Sequence, residues 1–105
     1  MVSDGSGPSI LLSYDVPRDM RVAAARVSHV IFGRGDEGKD ARLPYIRRPG
    51  VVWLGQSVLL LPSPLARELA LRLEALGARV AMARIMIPPA ELEAFRHRMR
   101  RHLYP

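Results

Sequence analysis

A chain of 105 residues, 49% of them hydrophobic, can bury one compact core and little more than a single domain. It contains no cysteine, which excludes disulfides, thiolate metal sites and a cysteine nucleophile, and leaves oxygen and imidazole groups as the available metal ligands. Sixteen basic residues against ten acidic ones give a net charge of +6; Lys39 is the only lysine, so the other fifteen are arginines, a balance that favours polyanionic partners.

The opening MVSDGSGPS has neither the basic start nor the apolar stretch of a signal peptide, and residues 1–8 read as a flexible tail. No apolar run approaches the ~20 residues that cross a bilayer, so a cytoplasmic protein with no membrane partner is expected. From Ser9 a strand begins in which Ile10, Leu12, Tyr14 and Val16 share one face and Leu11, Ser13 and Asp15 the other. Pro17 to Asp19 open a helix to about Phe32, with Met20, Ala24, Val27 and Ile31 as its apolar stripe and Gly33 as its stop.

Residues 33–50, GRGDEGKDARLPYIRRPG, have no hydrophobic periodicity and read as one long loop, a length that within a compact domain is usually functional or disordered. VVWL (51–54) and SVLLL (57–61) flank the turn-compatible Gly55-Gln56 and read as a hairpin. Ser63 then supplies an N-cap and Pro64 the first residue of a second helix, whose stripe is Leu65, Leu69, Leu73 and Leu76 and whose stop is Gly77. RVAMARIMI (79–87) reads as a fourth strand. A last helix over about 90–103 carries Leu92, Phe95, Met99 and Leu103 on one side.

Strand, helix, strand, strand, helix, strand is the order of a ferredoxin-like α/β (α+β) fold, βαββαβ, here with an additional C-terminal helix and one domain over 9–105. VVWL and SVLLL are apolar on both faces, so the face away from the two helices must also be covered, either by the C-terminal helix or by a second copy in a homodimer.

Residues 10–87 resemble the small CRISPR-associated spacer-adaptation family, first described as endoribonucleases. The likeness rests on a strand ending in Tyr14-Asp15, a helix with basic residues at its start, GQSVLLLPS as turn and third strand, and LEALGARV leading into a closing strand. The segment VVWLGQSVLLLPS is similar also to regulatory domains of phenylacetate-catabolism repressors and chromate-resistance regulators. The resemblance to the CRISPR family implies a dimer in which Asp15 of each protomer lies near the two-fold axis, where the pair would hold magnesium for phosphodiester cleavage. Without that partner, Asp15 reads as a cap for the turn or helix beginning at Pro17. The long segment at 33–50 and the basic C-terminal helix depart from the family's usual pattern.

The residues themselves speak more for binding than for chemistry. Arg34, Lys39, Arg42, Arg47 and Arg48 surround Tyr45, a basic segment whose aromatic ring could stack on a base, and Arg18 and Arg21 stand at the start of the first helix. The arginines of RHRMRRHL follow from favourable placement at a helix C-terminus, and His29, His97 and His102 lack the spacing of a zinc site. The expectation is a homodimer that binds DNA or RNA through the phosphate backbone and needs no cofactor. Two alternatives stay open: a magnesium-dependent endonuclease built on Asp15, and a regulatory or RNA-associated protein-interaction module within a larger complex.

Overall fold

The computed structural model describes residues 9–33 and 43–103. The expected tail at 1–8 and the middle of the long loop lie outside the described residues. Within them run β1 (Ser9–Asp15), α1 (Arg21–Phe32), a 3-10 turn (Tyr45–Arg47), β2 (Val52–Gly55), β3 (Val58–Pro62), α2 (Ser63–Ala75), β4 (Arg79–Ile85) and α3 (Pro89–Leu103). The sheet order is β2-β3-β1-β4, with every neighbouring pair antiparallel. β1 and β2 are thus parallel strands separated by β3, and β3 and β4 are parallel strands separated by β1. Two interlocked crossovers of this kind make the ferredoxin-like βαββαβ arrangement, to which α3 is an addition.

The period of two along β1 sorts its side chains as expected. Ile10, Leu12 and Tyr14 join Leu59, Leu61, Val27, Ile31, Leu69 and Leu73 in the main core, while Leu11 belongs to a second cluster on the far face. Each fully buried leucine in such a core contributes about 1.5–3 kcal/mol relative to an exposed one. The α2 stripe is broader than the leucine row alone: Ala66, Leu69, Ala70 and Leu73 are buried, with Leu65 and Leu76 packed at its margins.

α1 differs from expectation at its start. Its buried residues are Ala23, Val27 and Ile31, an i, i+4, i+8 row, and Ala24 is exposed. Residues 17–20 form a turn, closed by the Met20 amide donating to the Pro17 carbonyl (3.0 Å), and the helix starts only at Arg21. Met20 therefore sits before the helix and lays its side chain over Gly77. Gly77 itself ends α2: its φ of +103° suits glycine, its amide donates to Glu74, and the Ala78 amide donates to Leu73, the paired bonds of a Schellman motif. At the other end α2 begins at Ser63 with Pro62 in the cap position and no side-chain cap, one residue earlier than a Ser63 cap would place it.

α3 answers the question of the far face. Leu92 and Phe95 pack with Val52, Leu54, Leu60, Leu11, Ile85 and Ile87, closing a second cluster over the β2 and β3 part of the sheet. The Trp53 amide donates to Met99 Sδ (3.2 Å), so α3 also takes up a donor of the edge strand β2. Along the rest of that face Ser13, Asp15, Arg79, Ala81 and Ala83 are exposed, a strip without a large apolar side chain. The two-sided apolarity of VVWL and SVLLL is satisfied within one chain.

Candidate functional site

Tyr45 departs most from its expected role. Its side chain is 0% exposed and belongs to the main core, and Ile46 beside it is also buried. The phenol donates to Glu68 of α2, Arg48 Nη1 pairs with the same carboxylate at 2.8 Å, and the Arg48 guanidinium lies 3.8 Å over the Tyr45 ring. Arg48 Nε further donates to the Leu43 carbonyl (3.1 Å), and Arg72 approaches the ring from the α2 side at 5.6 Å. Burial pushes the Tyr45 phenol above its usual value, the Glu68 bond adds to this, and Arg72 and Arg48 oppose it. A ring enclosed in this way presents no face to a base, and Arg48 is committed to holding the end of the long segment against α2. Residues 44–46 are thus an anchored part of the core, while Leu43, Arg47, Pro49 and Gly50 around them are exposed.

The other expected contacts divide into three groups. Arg18, Arg21 and Arg47 are exposed. Arg34, Lys39 and Arg42 lie outside the described residues. Asp15 is exposed at the end of β1 in register with Arg79 of β4, on the sheet face away from α1 and α2. It does not cap α1, which begins beyond the Pro17–Met20 turn and has no side-chain cap. Among the described residues, no three His, Asp or Glu side chains are grouped so as to hold a metal ion.

Two grooves on the helical side were not anticipated. Arg26, His29 and Val30 of α1 face Arg72, Ala75 and Leu76 across a shallow space of about 430 Å3 between the two helices. A smaller groove of about 250 Å3 lies between the start of α2 and the open side of β4, lined by Ser63, Ala66, Arg67, Ile10, Met82, Ala83 and Arg84. Arg67 and Arg84 are exposed there, and neither forms an ion pair among the described residues. Their meeting depends on α2 lying over β1 and β4, an adjacency that no spacing within the sequence announces.

The fold and these surfaces define a small ferredoxin-like α/β domain with an extra helix and an arginine-rich exterior. Comparison with protein-family models, curated proteins and solved structures finds no match. No helix among the described residues is long and apolar enough to cross a membrane.

Proposed function

We propose that this protein binds nucleic acid through the phosphate backbone, as a homodimer and without a required cofactor. The observation that carries this reading is the set of exposed arginines free of carboxylate partners. Among the described residues the ion pairs are Arg48–Glu68 and Arg96–Glu93, whereas Arg18, Arg21, Arg26, Arg47, Arg67, Arg79 and Arg84 are all exposed and unpaired. A surface of that kind concentrates phosphates by long-range attraction and holds them by forked hydrogen bonds. With Tyr45 enclosed, the contacts are to phosphate and to groove shape rather than to bases by stacking.

The resemblance of residues 10–87 to the CRISPR adaptation family supports the same reading. For the dimer, the support is the same resemblance, which implies two protomers that meet near Asp15. The test is binding of labelled duplex DNA, single-stranded DNA and structured RNA across a salt series, with sedimentation equilibrium on the same protein. Salt-sensitive binding by a two-chain species is expected; no binding even at low salt would reject the reading.

A further inference from the structure

We propose that the groove between the start of α2 and β4 is a phosphate-binding site, with Arg67 and Arg84 as its cationic ligands and Ser63 as its hydroxyl donor. The occupant is a phosphodiester of the bound polynucleotide, and in this respect the inference rests on the function proposed above.

The groove is built from both layers of the fold. Ile10 and Arg84 are cross-strand partners on the helix-facing side of the sheet, and Met82 follows on the same side two residues earlier. Ala66 is small, and a space of about 250 Å3 lies under the first turns of α2. Drug-sized ligands fill pockets of roughly 300–1,000 Å3, so this groove suits a phosphate group rather than an entire nucleotide.

Its electrostatics call for an anion. Two arginines, Arg67 and Arg84, line one cavity, and like charges repel by an amount that grows as water is excluded. The carboxylate next in sequence, Glu68, does not relieve them, because it is bound to Tyr45 and Arg48 on another side of the helix. No acidic residue stands in the first turn of α2 and no side chain caps it, so its leading amides add to the positive potential. A phosphate seated between the two arginines would accept forked hydrogen bonds from each, with Ser63 in the same lining.

The experiment is an NMR titration of the full chain with inorganic phosphate, beside salt-dependent binding of a labelled oligonucleotide to the wild type and to Arg67→Ala/Arg84→Ala. Phosphate is expected to move the amides around Ser63, Arg67 and Arg84 and to saturate. The double variant should lose those shifts and lower the salt slope of oligonucleotide binding by about two, one for each phosphate-contacting arginine removed. Both side chains are exposed, so an unchanged circular dichroism spectrum serves as the folding control. Unmoved amides, or a double variant with wild-type affinity and slope, would overturn the site while leaving the proposed function standing. Saturation by phosphate in a wild-type chain that binds no nucleic acid would overturn the function and uphold the site.

Discussion

The two faces of the sheet are closed by different means. On one, α1 and α2 bury a continuous core in which Leu12, Ile31, Leu59, Leu61, Leu69, Leu73 and Tyr45 are all fully enclosed. On the other, α3 closes a smaller cluster around Val52, Leu60 and Leu92 that reaches Leu11 of β1 and Ile85 of β4, and the rest of the β1 and β4 strip carries alanines and polar groups instead. Apolarity on both sides of a strand is therefore a statement about layers, not about the number of chains. The addition of one helix also leaves the sheet asymmetric, with the β2 edge engaged by Met99 and β4 open.

If the first face is the dominant core, truncating it should cost most. Leu69→Ala is expected to destabilise the domain by about 3–5 kcal/mol and Leu92→Ala by nearer 2 kcal/mol, read from urea midpoints, within the usual range for buried leucines. Equal losses would break the comparison by making α3 as central as α2.

Next in size is Tyr45→Phe, which keeps the ring and removes the donor to Glu68. A loss of about 1–3 kcal/mol is expected, as for other hydrogen bonds to charged groups. The same variant has a signature in pH. The Tyr14 phenol is also pushed above its usual value by burial, with the Ser57 hydroxyl opposing, so both phenols hold their protons more tightly when folded. Their stabilising contribution is complete below the unfolded value of 10.0 and is lost as pH rises from there through the folded values. Tyr45→Phe should make the alkaline loss of stability shallower without abolishing it; an unchanged alkaline limb would show that Tyr45 is not the group responsible.

The smallest effect is expected at Asp15. Asp15→Asn removes an exposed charge opposite Arg79, so stability should change by no more than about 0.5 kcal/mol, and affinity for a polyanion should rise slightly. Magnesium-dependent cleavage by the wild type that disappears in this variant would instead establish the nuclease alternative.

Much of the fold was legible because it is written in local periodicity. The alternation from Ile10 to Val16, the hairpin around Gly55-Gln56, the α2 leucines and the Gly77 stop each need only a few neighbouring residues to be read. The start of α1 is later than periodicity suggests because the Pro17–Met20 turn precedes the helix, and Ala23 rather than Ala24 completes its buried row. Tyr45 and Ile46 were hidden for a different reason. A three-residue 3-10 turn has no period, and its burial depends on Glu68 and Arg72, which belong to α2. The candidate site was legible in charge but not in place: the excess of arginine is plain in the sequence, whereas the pairing of Arg67 with Arg84 arises only when α2 packs across the sheet.

The most direct test of the central claim is an amide NMR map of the protein with a short nucleic-acid duplex added at low salt and then displaced by raising the salt. Salt-reversible shifts are expected around the exposed, unpaired arginines of α1, the start of α2 and β4, with the buried Leu12, Leu59 and Leu61 of the central strands largely unmoved. No shifts at low salt, or shifts confined to α3, would contradict that claim.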